Sequence, residues 1–201
     1  MKNLLIATLF IFANASFAFV EIDSKAPNFE LTDTFGKKIS LDSFIGKKVV
    51  LEWTNHDCPF VAKHYKTTNM QSTQELAKNE EVIWLSIISS APGTQGYVTR
   101  DEANELTVSR KASPAHVLLD PTGKAGLLYS AKTTPHMYVI DEKGLLKYQG
   151  AIDDAGGRGF MFKDLLQAKN YVKNAIKELN KGQKVTNPVT KPYGCSVKYT
   201  G

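Results

Sequence analysis

Apolar positions along this chain fall into short runs separated by turn residues. Val49-Val50-Leu51-Glu52-Trp53 is nearly continuous, the pattern of a strand covered on both faces. Val82 to Ile88 is a second such run. Between them, Phe60, Val61, His64, Tyr65, Leu76 and Ala77 mark the inner side of a helix from Phe60 to about Lys78. Its middle, Thr67-Thr68-Asn69, is made of poor helix formers. A weaker helical pattern covers Gly96 to Lys111, and His116 to Asp120 reads as a short strand. Asp120-Pro121-Thr122-Gly123 is a turn signature, and one or two helical turns follow over Ala125 to Ser130. Pro135 opens the apolar run His136 to Asp141, so it belongs at a strand's first position. Glu142-Lys143-Gly144 then turns the chain into a returning strand, Leu145 to Gly150. Phe162, Leu165, Leu166, Val172, Ile176 and Leu179 recur at helical spacing, which predicts an amphipathic helix over 160–180 ended by Gly182. Near the front, Ala26 to Asp33 and Ile39 to Leu41 flank a turn at Phe35-Gly36-Lys37-Lys38 and predict a β-hairpin.

This order of elements predicts an α/β domain: a mixed central sheet with helices on both faces and a hairpin at its N-terminal side. No internal repeat and no second domain is visible. The domain is expected over 19–182. Residues 183–201 form a tail without periodicity, and it carries Cys195.

Composition changes this picture little. The chain has 201 residues, 42% hydrophobic and 22% charged, ordinary for a globular protein. Its formal charge of +5 is spread over scattered lysines. No basic run interleaves with aromatics, so nucleic acid is not an expected partner. The first 18 residues change the picture more. Lys2 precedes an apolar run, Leu4 to Phe12, too short to span a bilayer. Ser16-Phe17-Ala18 then supplies small residues for cleavage after Ala18. Residues 1–18 read as a secretory signal peptide. The mature chain is expected in the periplasm or outside the cell, with no membrane partner once the signal is removed. That compartment is oxidising.

Candidate chemistry concentrates at Asn55-His56-Asp57-Cys58-Pro59-Phe60, where the first buried strand meets the first helix. A helix start offers free N–H groups and the positive end of the macrodipole, which favour a thiolate, the reactive form of cysteine. Pro59 suits the first helical turn, and Asp57 is expected as the N-cap. His56 sits two residues before Cys58 and is placed to stabilise a thiolate or share its proton. Cys195 is the only other cysteine. It is expected either to pair with Cys58 and resolve it, or to form a structural disulfide, or to pair with another chain. No Cys and His residues stand at zinc-site spacing, and no cofactor is expected.

Ala26-Pro27-Asn28-Phe29 at the domain start, the Trp53-to-Pro59 corner, Asp120-Pro121-Thr122-Gly123, and Thr134-Pro135 before a strand occur in an order that resembles the thioredoxin fold. More narrowly, the chain is similar to peroxiredoxin-like members of the redoxin group, the alkyl hydroperoxide reductase and thiol-specific antioxidant relatives. The resemblance covers about 26–181. It implies a thioredoxin-like three-layer α/β/α architecture, with Cys58 as the nucleophile and Pro135 in the cis form opposite it. Thr134, His136, Trp53 and Pro59 would then border a peroxide or disulfide substrate, and an external thiol would supply electrons. Two positions depart from the family patterns. Val61 stands where thioredoxins carry a second cysteine, and Asn55 stands where peroxiredoxins carry a threonine. Arg100, Arg110 and Arg158 are the candidates for a residue that polarises a peroxide.

The same residues admit other uses. Cys58, His56, His136 and Met137 are soft or borderline donors that suit copper. The fold could also serve as a non-catalytic binding module with Cys58 inert.

Overall fold

The computed structural model describes residues 20–156, 165 and 167–200. Seven strands form one mixed sheet in the order β2-β1-β5-β4-β3-β7-β8. They are β1 (Glu30–Asp33), β2 (Lys38–Ser40), β3 (Val49–Trp53), β4 (Ile83–Ile88), β5 (His116–Leu119), β7 (His136–Ile140) and β8 (Leu146–Gly150). A separate two-stranded ladder joins β6 (Thr133–Thr134) to β9 (Cys195–Ser196). The helices are α1 (Pro59–Lys66), α2 (Asn69–Asn79), α3 (Arg100–Ser109), α4 (Lys124–Leu128) and α5 (Tyr171–Asn180).

β3, β4 and β5 run parallel, and β7 and β8 return antiparallel beside β3. The expected N-terminal hairpin, β1 with β2, joins the far side of this sheet by pairing with β5. Alternate residues of β3 feed two cores, as the pleat requires. Val49, Leu51 and Trp53 pack with Phe29, Tyr129 and Tyr138 on one face, beneath α4 and the N-terminal segment. Val50 packs on the other face with Val61, Met70, Ala77, Val172 and Ile176 from α1, α2 and α5. The strand that carries the corner is therefore clamped from both sides.

The helix expected over 60–78 is two helices. Thr68 takes a left-handed conformation (φ 58°) and separates α1 from α2, at the stretch whose propensity is poorest. The helix expected over 96–111 begins at Arg100 instead. Thr99 and Glu102 form a reciprocal capping box that fixes the start. The helix expected over 160–180 lies partly outside the described residues. Its described part is helical only from Tyr171. Asn170 accepts from the Lys173 amide as N-cap, while Lys169 and Asp154 exchange backbone and side-chain hydrogen bonds that hold the preceding chain non-helical.

Glu52 interrupts the apolar run of β3 and is fully buried. Its side chain accepts from Trp84 Nε1 at 2.8 Å, Ser86 Oγ at 2.8 Å, Tyr65 Oη at 3.1 Å and Gln74 Nε2 at 3.4 Å. These donors come from β4, α1 and α2, so one side chain ties the sheet to the helices beside the corner. Burying a polar side chain is tolerable only when it is satisfied to this degree. Glu52→Ala would orphan several buried donors at once, each at about 1–3 kcal/mol before relaxation. A loss of about 3 kcal/mol or more is expected in urea unfolding, with a milder loss for Glu52→Gln.

Candidate active site

The corner between β3 and α1 is built by Asn55. Its Oδ1 accepts from the Asp57 amide at 2.8 Å, an Asx turn, and its Nδ2 donates to the Gln95 carbonyl at 3.2 Å. The Cys58 amide donates to the Asn55 carbonyl at 3.2 Å. A Cβ at Gly96 would collide with the Asn55 amide, so only glycine lets the 91–98 loop close on the corner. Both ends of the Asn55 amide are thus committed to backbone. The position that differs from the peroxiredoxin pattern is used to hold the turn.

Cys58 itself is the N-cap of α1, with extended backbone (φ −76°, ψ 119°). The expectation that Asp57 caps the helix is not met. Asp57 Oδ2 accepts from the Gly96 amide at 3.1 Å, and Oδ1 lies 3.2 Å from His56 Nε2. The Asx turn rotates Asp57 toward the neighbouring loop and leaves the sulfur at the helix start. His56 pairs with Asp57 rather than with Cys58. Pro59 is the first helical residue, as expected, and is exposed.

Across from this corner the Thr134–Pro135 peptide bond is cis, as the resemblance implied. Cys58 Sγ lies 3.0 Å from the Thr134 carbonyl. On the far side of Thr134 lies the tail. Cys195 pairs with Thr134 and Ser196 with Thr133 in the short β6–β9 ladder. Gly194 makes the approach possible: its φ of 139° is open to glycine alone, and a Cβ there would strike the Thr134 carbonyl. Cys195 is thereby brought within hydrogen-bonding reach of Cys58, and both are free thiols.

The two sulfurs titrate in opposite directions. Burial pushes the Cys58 thiol up. The Cys195 thiol and the Val61 and Cys195 amides donate toward it, and together they hold it below the ordinary cysteine value. Cys195 is pushed up to about 12 by burial, by its hydrogen bond to Cys58 and by the Cys58 charge, with Lys198 pulling weakly the other way. Of the pair, Cys58 is the sulfur that gives up its proton first, and Cys195 keeps its own. While Cys58 is protonated, the Thr134 carbonyl is its acceptor.

The remaining expected residues divide. Trp53 is enclosed in the core on the opposite face, between Tyr129 and Tyr138, and its indole donates to Ser89 Oγ at 3.0 Å. Its expected place beside a substrate gives way to packing beneath the corner. His136 is 4% exposed and lies against Tyr138 at 4.6 Å. Its Nδ1 accepts from the Lys132 amide at 3.2 Å and faces Tyr138 Oη at 3.2 Å. Arg110 sets its guanidinium over the Tyr65 ring at 5.1 Å and donates to the His56 carbonyl at 3.0 Å, buttressing the corner from behind. Arg100 lies beside Gly36 in the β1–β2 turn, and Arg158 is outside the described residues. The copper grouping is not assembled. Met137 is in the core, His56 turns to Asp57, and no cluster of three or more His, Cys, Asp or Glu side chains suited to a metal occurs among the described residues.

Sequence reasoning missed Tyr193 and Asp153, which flank the site through the tail. Tyr193 Oη lies 3.0 Å from His64 Nε2 and donates to Asp153 Oδ1. Asn69 Nδ2 joins His64 Nδ1 at 2.9 Å to Asp153 Oδ2 at 2.8 Å. The only sequence signal was Tyr193-Gly194-Cys195 itself, an aromatic and a glycine just ahead of the second cysteine.

Burial holds His136 at a pKa of about 3, with Lys132 adding to the effect, and burial also lowers His64, against the opposing pull of Asp153. Both are neutral in the fold and protonate near 6.5 when the chain unfolds. Folded values below unfolded ones mean that acid favours the unfolded state. Stability should fall as pH drops below about 6.5, by up to about 1.4 kcal/mol per pH unit for each histidine. Urea midpoints measured between pH 6 and 5 should show this slope, and His136→Asn should flatten it by about one histidine's share.

Comparison with known proteins agrees with this architecture. Residues 22–149 match the AhpC/TSA family. The chain is 30% identical over 135 residues to the thiol-disulfide oxidoreductase ResA of Bacillus subtilis, covering 62% of this chain and 75% of that protein. Among solved structures, a hypothetical protein of Sinorhizobium meliloti superposes with a TM-score of 0.76 at 20% identity, over 92% of this chain and 97% of that one. The thioredoxin domain of a thiol-disulfide oxidoreductase from Bacteroides vulgatus superposes with a TM-score of 0.51 at 17% identity, over 65% of this chain and 88% of that one. The fold is thioredoxin-like, and by sequence the chain belongs to the AhpC/TSA family.

Proposed function

We propose that this protein is an exported thiol–disulfide oxidoreductase in which Cys58 is the nucleophile and Cys195 resolves it. The observation that carries the reading is the pairing of Cys195 with Thr134, which sets the second sulfur on Cys58 beside Pro135. The oxidoreductase named in ResA supports the same class of chemistry. Export is supported by the signal-peptide pattern of residues 1–18.

The Cys58 thiolate attacks one sulfur of a disulfide substrate, forms a mixed disulfide and expels the other sulfur as a thiolate, which takes a proton from solvent. Capping Cys58 removes the negative charge that held the proton on Cys195. Cys195 then loses its proton to solvent and attacks Cys58 Sγ. The second substrate sulfur leaves as a thiolate, and the protein disulfide forms. The substrate has gained two electrons and the cysteine pair has lost two. An external dithiol returns the pair to the reduced form. The commitment of Asn55 to the turn and of Arg110 to the His56 carbonyl favours a disulfide over a peroxide as substrate.

Reduced protein treated with glutathione disulfide should yield a Cys58–Cys195 bridge on non-reducing peptide mapping. Cys58→Ser should abolish reaction, and Cys195→Ala should accumulate a Cys58–glutathione adduct. Alkylation of Cys58 should rise through a midpoint below the roughly 8.5 of an ordinary cysteine. Unmodified Cys58 after prolonged treatment would overturn the assignment. A faster reaction with hydrogen peroxide than with disulfides would move the substrate class instead.

A further inference from the structure

We infer that Tyr193 is a positioning residue for the resolving step: the hydrogen-bonded network of Tyr193, His64, Asp153 and Asn69 docks the tail so that Cys195 stays over Cys58. The inference rests on the reading of Cys195 as the resolving thiol.

The network is closed and satisfied. Asn69 Nδ2 has two hydrogens and gives one to His64 Nδ1 and one to Asp153 Oδ2. His64 is neutral, so with Nδ1 accepting, its proton is on Nε2 and is donated to the Tyr193 oxygen. The Tyr193 hydroxyl then donates to Asp153 Oδ1, which also accepts from the Ala155 amide at 3.0 Å. Asn69 Oδ1 accepts in turn from Asn170 at the start of α5. His64 and Asp153 are 2% and 1% exposed, so this polarity sits in the core and each member depends on the others. Its protein side is rigid: His64 is on α1, the helix that Cys58 begins, and Asp153 follows β8. Only Tyr193 belongs to the tail.

Packing agrees with the hydrogen bonds. The Tyr193 ring meets Phe60 edge-on at 5.9 Å and fills the space at Gly156 that a Cβ would occupy. Beyond Cys195 the tail is held again. The Val197 amide donates to the Lys132 carbonyl at 3.1 Å, Tyr199 Oη donates to the Ala131 carbonyl at 2.7 Å, and the Tyr199 ring covers Gly123 and Gly126. Cys195 is therefore suspended between two anchors. Cys58 beneath it is 0% exposed, so reaction of Cys58 with any external reagent requires the strand to lift. Tyr193 is the anchor whose release lifts it nearest the sulfur. A tethered thiol resolves a mixed disulfide in proportion to its effective concentration at the target. Docking by Tyr193 sets that concentration.

The test is Tyr193→Phe in the full mature chain, which removes the hydroxyl and keeps the ring. With glutathione disulfide as the probe, the Cys58–glutathione adduct should persist about tenfold longer before Cys195 displaces glutathione. The Cys58–Cys195 bridge should be correspondingly less favoured in glutathione redox buffers. In reduced protein, alkylation of Cys58 by iodoacetamide should quicken several-fold, and its pH midpoint should rise as the Cys195 donor is lost. A loss confined to stability would leave that midpoint and the bridge equilibrium unchanged. Should the phenylalanine variant not fold, Gly194→Ala, which forces β9 off Thr134 without touching the network, should give the same directions. Resolution, bridge equilibrium and alkylation all within twofold of wild type would overturn the inference. The two readings fail separately: absence of any bridge in wild type refutes the resolving role of Cys195, whereas a normal bridge in Tyr193→Phe refutes only the positioning role.

Discussion

A two-residue ladder decides what this fold can do. Thr134 is paired on its tail side with Cys195 and faces the Cys58 sulfur with its carbonyl. Without β9, Cys58 would be a lone thiol at a helix start, with no internal partner and one fewer set of donors. With β9 in place, a second sulfur enters a region of low polarity where one charge is tolerated and two are not. Within the pair Cys58 is shifted down and Cys195 up, so Cys195 holds its proton longer. The placement of a second sulfur beside buried Cys58 follows from one strand pairing.

The surroundings show why the pairing is possible. The tail packs Val185, Tyr193, Cys195 and Val197 against the two cores. It also docks at places where the domain gives up side chains. Gly194 permits contact with the Thr134 carbonyl, Gly156 makes room for Tyr193, and Gly123 and Gly126 make room for Tyr199. Upstream, Gly150 admits Thr190, whose hydroxyl accepts from the Ala151 amide. Close backbone approach adds to this packing, and polar contacts fix the register. Such contacts are directional, so they determine the position of Cys195 more tightly than an apolar patch would.

The helix-covered face of the sheet carries two buried polar clusters, one around Glu52 and one around His64 and Asp153. Both couple helices to the strands next to the corner, and both are almost fully satisfied. They hold the last turn of α1 from two sides: Glu52 through Tyr65, and Asp153 through Asn69 and His64. Cys58 caps the other end of this short helix, so its place opposite Thr134–Pro135 is set by an anchored element.

The seven strands of the main sheet, the hairpin and the corner cysteine were legible in the chain, because each is a local pattern, whereas β6 and β9 were not. Apolar runs such as Val49 to Trp53 have one way to be buried, and Pro59 and Pro135 restrict their own neighbours. The break at Thr68 was visible as poor propensity, and the α3 start was present in Thr99 and Glu102. Other features exist only in three dimensions. Asp57 could cap α1 or turn to the Gly96 amide, and Trp53 could border a substrate or fill the core; the packing of the 91–98 loop and of Tyr129 and Tyr138 chose between them. The tail had no periodicity to read, since its contacts are single side chains meeting distant glycines and carbonyls. The amino-acid order thus determined that one cysteine stands where the first strand meets the first helix, and the family resemblance implied a proline opposite it. Only the folded chain decided that Cys195 covers it, because the groups that hold the tail come from α1, β6 and the segment after β8, which lie far apart in sequence and meet only when the sheet is complete.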